Sequence, residues 1–229
     1  MNKILIIVPA YNEAKTIKSV VNQLNINIPE ADILVINDCS TDETETILKK
    51  ENINHISLIS NLGIGGAMQT GYLYALKNDY DIAVQIDGDG QHDSYNIKEV
   101  LKPIYENEAD MVIGSRYVEK TSYKTPIFRR LGMIYFKKII TLLTDKKIND
   151  TTSGYRAVNK KVIKLFANDY PNDYPEVEVL VKLNKQGFRV SEVAVEMRER
   201  KAGFSSITPI KSVYYMIKVT FNLMKRAVE

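Results

Sequence analysis

Five short apolar runs, the first four each followed by a segment with helical spacing, limit what the first 115 residues can fold into. Lys3 to Val8 is a continuous β-branched run stopped by Pro9, and Ala14, Ile17, Val20, Val21 and Leu24 then recur at helical spacing from Glu13. Ile33 to Ile36 repeats the pattern, with Ser40 and Glu43 spaced as a capping box for a helix through Leu48. His55 to Ile59 precedes a helix over Gly65 to Leu76. The run Ile82, Ala83, Val84, Ile86 precedes one over Tyr95 to Tyr105, and Asp110 to Ile113 ends at Gly114-Ser115-Arg116. Strands without polar alternation are buried on both faces, so the spacing predicts an α/β domain with a Rossmann-like, mostly parallel sheet flanked by helices. Such a domain binds nucleotides.

The fourth run ends in Gln85-Ile-Asp-Gly-Asp-Gly-Gln-His92. Asp87 and Asp89 emerge at the carboxyl end of a buried strand, where open α/β sheets bind their ligands. Two carboxylates one residue apart, with Gly88 and Gly90 freeing the backbone and Gln91 adding an amide oxygen, suit Mg²⁺ or Mn²⁺ with positions left open for substrate phosphates. Asp-Gly pairs also make ordinary turns, and the octapeptide alone leaves both readings open.

Composition narrows the class. A chain of 229 residues, 45% hydrophobic and 26% charged, is one large globular domain, or one domain with an appendage, with room for a sizeable core. A net charge of +3, with no basic stripe interleaved with aromatics, argues against nucleic acid. A single cysteine, Cys39, makes no intrachain disulfide and fits a reducing cytoplasm. Neither His55 nor His92 makes a zinc-ligand spacing with it. The apolar run after Lys3 is too short for a signal peptide, and nothing approaches the ~20 apolar residues of a membrane span. The expectation is a cytosolic protein, at most attached to a membrane.

Two standard phosphate cradles fail. In Asn61-Leu-Gly-Ile-Gly-Gly the third glycine of a dinucleotide fingerprint falls at Met68, and Gly66 and Gly71 lead to Tyr72 rather than to the lysine of a P-loop. Gly63, Gly65 and Gly66 either bring the backbone close to a ligand or pack a helix start.

The blocks Val8-Pro-Ala-Tyr-Asn-Glu, Val35-Ile-Asn-Asp-Cys-Ser-Thr-Asp, Asn61-Leu-Gly, Asp87-Gly-Asp-Gly-Gln-His, Gly114-Ser-Arg, Asp150-Thr-Thr-Ser-Gly-Tyr-Arg and Arg200-Lys-Ala-Gly follow one another over residues 3–206. In that order they resemble family 2 glycosyltransferases of the GT-A fold, in the branch of dolichyl- and undecaprenyl-phosphate sugar transferases. The resemblance implies a domain over residues 1–206, with a nucleotide-binding half 1–115 and an acceptor half 116–206, followed by a C-terminal amphipathic helix over 207–229. It implies that Pro9, Ala10, Tyr11, Glu13 and Asp38 hold the base and ribose of a nucleoside diphosphate sugar, with Gly66 and Gly88 also against the donor. For Glu13 and Asp38 the alternative is capping of the next helix. Asp87, Asp89 and Gln91 are the implied ligands of Mg²⁺ or Mn²⁺.

A departing diphosphate and a phosphate acceptor both call for cations. Arg116, Arg129, Arg130, Arg156 and Arg200 are the candidates, because a guanidinium grips phosphate with a planar fork. By resemblance Arg200 contacts the donor diphosphate, while Arg116 and one of Arg129 or Arg130 hold the acceptor. Ser205-Ser206 stands where the family often has Ser-Lys, so a cation usual there is absent. The implied acceptor, polyprenyl phosphate, is already ionised near neutrality and needs no strong base. It would attack the anomeric carbon in line, with inversion. Asp150 is the base if the acceptor is instead a glycan hydroxyl; otherwise it orients Arg156 or caps the turn at Ser153-Gly154. On this reasoning Asp150→Asn inactivates a hydroxyl-directed enzyme and is better tolerated by a phosphate-directed one. A non-catalytic nucleotide-sugar-binding protein is the reading from another class.

Two segments bear on the lipid. Phe128 to Leu143 is apolar on most faces but is interrupted by Arg129, Arg130, Lys137 and Lys138. Pro209 to Val228 carries Ile210, Val213, Tyr214, Ile217, Phe221, Met224 and Val228 on one stripe and Lys211, Lys218 and Lys225 on another. Such helices suit the anionic cytoplasmic face of a plasma membrane, or pack on the domain, on a second copy of the chain or on a small membrane protein. Farther along, Val162 to Phe166 and Val177 to Leu183 read as helices and Arg189 to Val195 as a strand.

Overall fold

The computed structural model describes residues 2–118, 127–172, 175–197, 216 and 218–222, and for 127–131 the backbone alone. In chain order the elements are β1 (Ile4–Ala10), α1 (Ile17–Asn27), β2 (Asp32–Asn37), α2 (Thr44–Lys50), β3 (His55–Ser57), α3 (Gly63–Lys77) and β4 (Ile82–Gln85). A 3-10 turn at Ser94–Asn96 leads into α4 (Ile97–Tyr105), then β5 (Met111–Ser115), α5 (Ile127–Thr144), β6 (Arg156–Asn159), α6 (Lys160–Asn168), α7 (Pro175–Lys185) and β7 (Val190–Ala194).

The strands form one sheet in the order β3-β2-β1-β4-β6-β5-β7. The predicted parallel arrangement holds except at β6, which runs antiparallel to both β4 and β5. Alternate strand residues feed two cores, which is why the strands read as unbroken apolar runs. Leu5, Ile7, Leu34, Ile36 and Ala83 join residues of α3, α5, α6 and α7 on one face. Ile4, Ile6, Val8, Ile33, Val35 and Val84 join those of α1 and α4 on the other.

From β1 the chain steps outward to β2 and β3, then returns through α3 to β4 on the opposite side of β1. The carboxyl ends of β1 and β4 therefore frame the crevice at which a doubly wound sheet takes its ligand.

Some local expectations are corrected. The capping box does not form: Asp42 Oδ1 accepts from the Thr44 N–H (2.9 Å), while the Ser40 hydroxyl accepts from the Asn12 N–H (3.0 Å). The first helix begins at Ile17 rather than Glu13. The predicted boundary at residue 206 lies outside the described residues, as does the C-terminal helix apart from helical backbone at 216 and 218–222. There Val219 is buried, Thr220 Oγ1 lies 2.8 Å from Tyr135 Oη and Asn222 donates to Glu178 (2.8 Å), so this part packs on the domain. Phe221, on the predicted apolar stripe, is exposed. Among the described residues no helix is long and apolar enough to cross a membrane.

The start of α3 is pressed against the loop before α7. A Cβ on Gly65 would lie 2.1 Å from Asn172 O and 2.2 Å from Pro171 O, both backbone atoms. Gly65→Ala is therefore expected to cost at least about 1–3 kcal/mol, as overpacking does. Thermal denaturation measures it against Gly132→Ala, where nothing lies within 4 Å. Equal Tm values for the two variants would contradict this contact.

Candidate active site

The β1 and β4 ends meet through Gly88. Its N–H donates to the Pro9 carbonyl (3.3 Å), and a Cβ there would sit 3.2 Å from that oxygen. The Thr16 hydroxyl donates to Gly88 O (2.8 Å), with Glu13 Oε2 3.0 Å away. Glu13 thus lies beside the acidic loop, with its own N–H donating to Thr44 Oγ1 (2.9 Å). The Ala10 carbonyl accepts from the Asp38 N–H (2.9 Å), and Tyr11 is half exposed. Asn12, in the left-handed region at φ 58°, accepts through Oδ1 from the Thr41 and Asp42 N–H groups (2.8 and 3.3 Å). The loops after β1 and β2 are therefore one unit.

Asp38 takes the capping role, but on α3 rather than on the next helix. Oδ1 accepts from the Leu62 N–H (2.7 Å) and Oδ2 from the Gly63 N–H (2.9 Å), with the side chain buried. Gly63 has φ +74°, which this turn needs. Gly66 is crowded by Leu62 of its own helix start, and it lines a cleft of about 490 Å³ with Asn61, Gln69, Thr70, Leu73 and Asn172.

Past β4, Asp87 and Asp89 are half-buried, and Gly90 turns the chain at φ +75°. Asp89 Oδ1 accepts from the Gln91 N–H (3.0 Å). Asp87 rests on Gly154: a Cβ there would come within 2.9 and 3.0 Å of the two carboxylate oxygens. Gln85 Nε2 reaches Asp87 Oδ1 at 3.4 Å. Among the described residues no three His, Cys, Asp or Glu side chains converge as a closed metal cage. Two partly exposed carboxylates and the Gln91 amide make a sparse hard-oxygen set. That fits a divalent ion whose remaining positions are filled by phosphate.

The second half holds its charges differently from expectation. Arg116, directly after β5, forms a buried fork with Asp150: Nε to Oδ2 2.6 Å and Nη2 to Oδ1 2.7 Å, with the Arg116 N–H also donating to Oδ2 (3.1 Å). Asp150 is fully buried. Its orienting role is present, but the residue it orients is Arg116, not Arg156. Glu192 on β7 in turn accepts from the Asn149 and Asp150 N–H groups, both at 2.7 Å. Ser153 donates to the Gly114 carbonyl (2.6 Å), closing the same loop onto β5.

Arg156 lies beneath the crevice, 1% exposed, and donates to the carbonyls of Ser153 (2.7 Å), Thr151 (3.3 Å) and Glu176 (2.8 Å). Its Nη1 is buried and has no hydrogen-bond partner among the described residues. Through these bonds Arg156 fixes the 151–154 turn to the start of α7. Burial pushes the Glu176 carboxyl above its ordinary range, Arg156 pulls it back, and Asp87 adds to the push. Arg129 and Arg130 are on the first turn of α5 with side chains outside the description, and Arg200 is outside the described residues. Sequence reasoning gave no binding role to Gly154, Glu192 or His92, although Gly154 and His92 stand inside the quoted blocks and Glu192 is a charge amid the β-branched run of β7.

An α/β sheet of this order with an acidic pair at the β1/β4 crevice is the GT-A fold of nucleotide-sugar transferases. The glucosyl-3-phosphoglycerate synthase of Mycobacterium tuberculosis, crystallised with Mn²⁺, UDP-glucose and phosphoglyceric acid, superposes with a TM-score of 0.76 over 99% of this chain and 80% of that one, at 19% identity. The glycosyl transferase family 2 model matches residues 5–166, and the chain belongs to that family. It is 33% identical over 213 residues to the UDP-N-acetylglucosamine–dolichyl-phosphate N-acetylglucosaminyltransferase of Methanococcus voltae, covering 84% of each. To the polyprenol monophosphomannose synthase of Mycolicibacterium smegmatis it is 28% identical over 225 residues, covering 94% of this chain and 84% of that one. The expected polyprenyl-phosphate sugar transferase branch is borne out.

Proposed function

We propose that this glycosyltransferase moves a sugar from a nucleoside diphosphate sugar, read as a UDP-sugar, to a polyprenyl phosphate such as undecaprenyl phosphate, with inversion. It would do so as a peripheral protein on the cytoplasmic face of the membrane, in the synthesis of cell-surface glycans. The observation that carries the reading is the Asp87/Asp89 pair at the β1/β4 crevice, with Asp87 seated on Gly154. Relatives named for dolichyl-phosphate and polyprenol phosphate products support the acceptor class.

Pro9, Ala10, Tyr11 and Glu13 form the wall for base and ribose, while Asp38 shapes that wall by holding the start of α3. Asp87, Asp89 and Gln91 would hold Mg²⁺ or Mn²⁺, which when bound neutralises the diphosphate that leaves. An acceptor phosphate oxygen forms the new bond to the anomeric carbon as the bond to the donor diphosphate breaks and its electron pair departs with the nucleotide. The phosphomonoester has a second pKa of about 6 and attacks without a base. That suits a site in which both oxygens of Asp150 are taken by Arg116. Arg129, Arg130 and Arg200 are left to grip phosphates, and Arg116 and Arg156 act through the loops they hold.

The test incubates the full chain with undecaprenyl phosphate and a panel of radiolabelled UDP- and GDP-sugars, with Mn²⁺, Mg²⁺ or EDTA. Label from one UDP-sugar is expected in the lipid phase with either ion and not with EDTA. Nucleotide binding without transfer to any lipid phosphate would overturn the assignment.

A further inference from the structure

His92 closes the acidic octapeptide, yet it faces inward. The ring is buried and stacks on Tyr155, with centroids 5.1 Å apart and planes 19° apart. Its backbone pairs with Met197 in an antiparallel bridge, and the Tyr155 hydroxyl donates to the Asp93 carbonyl (3.4 Å). The ring is thus fixed from behind by the chain after β7 and from one face by the residue next to Gly154.

Both ring nitrogens turn toward one residue. Nδ1 accepts from the Asp87 N–H (3.1 Å), and Nε2 lies 3.6 Å from Asp87 Oδ2. Because a ring nitrogen facing an N–H must be the acceptor, the neutral ring carries its proton on Nε2, toward the carboxylate. Asp87 therefore sits in a socket: the Gly154 backbone meets its carboxylate, His92 Nδ1 holds its main chain, and Nε2 faces the carboxylate from beyond hydrogen-bond distance.

The geometry points to His92 as a positioning residue that presets Asp87 for the divalent ion, with Tyr155 and Gly154 completing the socket. This inference rests on the proposed metal role of Asp87. His92 is not a metal ligand in this arrangement, because both of its nitrogens are directed at Asp87. A carboxylate free to rotate must be ordered when the ion binds, whereas one already held is not penalised. Partners that orient metal ligands in this way are typically worth 10- to 100-fold in metal affinity.

The test measures Mn²⁺ affinity of the full chain by the EPR signal of the free ion, with and without UDP. It compares wild type, Asp89→Ala, His92→Ala, His92→Asn and His92→Gln, with Tm recorded for each. Asparagine places its amide oxygen where Nδ1 stands, whereas glutamine extends to the Nε2 position. His92→Ala is expected to weaken Mn²⁺ binding by about 10- to 100-fold. His92→Asn should recover most of that loss and His92→Gln little of it. Ring packing alone predicts instead that affinity follows Tm, with glutamine filling the space at least as well as asparagine, and that result would overturn the inference. Wild-type affinity in His92→Ala would overturn it while leaving the metal reading intact. Equal Mn²⁺ binding by wild type and Asp89→Ala would remove the metal reading and this inference with it.

Discussion

Asp150→Ala is expected to destabilise the protein by about 3–5 kcal/mol, the usual result of breaking a buried ion pair from one side. For a chain of this size that is a fall in Tm of roughly 6–20 °C, at ~2–4 °C per kcal/mol. The cause is the partner left behind. The Arg116 guanidinium is 4% exposed and loses both oxygens of its fork along with the acceptor for its own N–H. Asp150→Asn keeps the shape but removes the countercharge, so it should fall most of the way toward Asp150→Ala. Replacing both partners, as in R116M/D150L, removes the desolvation cost as well as the attraction. It should therefore regain much of the lost stability without regaining turnover. Thermal denaturation of the four proteins, with lipid glycosylation assayed on each, checks this. A Tm for Asp150→Ala within 2 °C of wild type would show that the fork is not what holds the loop.

The same fork changes what Asp150→Asn can report. From the sequence, tolerance of that substitution separates a phosphate acceptor from a hydroxyl acceptor. With Asp150 buried and engaged by Arg116, loss of activity follows for either acceptor through the displaced loop. The acceptor must be identified from the product instead.

What was legible in the sequence was local. Strands buried on both faces read as unbroken apolar runs, so β1, β2, β4 and β5 and the helices between them were placed to within a few residues, and with them the crevice and its carboxylates. What was not legible depends on distant partners. Strand β6 offers only Ala157 and Val158 as apolar signal, and its place between β4 and β5 is fixed by pairing with residues more than 40 positions earlier. Arg116 and Arg156 looked like phosphate grips because their partners are invisible locally. For Arg116 the partner is a carboxylate 34 residues on, and for Arg156 it is a set of backbone carbonyls that includes Glu176. Ser40 and Glu43 had the spacing of a cap, but Asp42 reached Thr44 first and Ser40 was drawn to the neighbouring loop.

Asp89→Ala should separate chemistry from stability in the opposite way to Asp150→Ala. Asp89 is only half-buried, and its Oδ1 accepts from the Gln91 N–H two residues on, so its removal loosens a turn without exposing core. Stability should change by no more than about 0.5–1 kcal/mol. Transfer should nevertheless fall on the order of 10³-fold, because a cation at a departing diphosphate contributes several kcal/mol and each 1.36 kcal/mol is tenfold in rate. Asp89→Asn keeps the acceptor for Gln91 but halves the charge of the carboxylate pair, so it should retain the wild-type Tm and still lose Mn²⁺ affinity. The comparison isolates charge from turn geometry. If Asp89→Asn transfers sugar at the wild-type rate in EDTA-treated buffer, the acidic pair is a turn, and the charge of the leaving diphosphate must be met by the arginines alone.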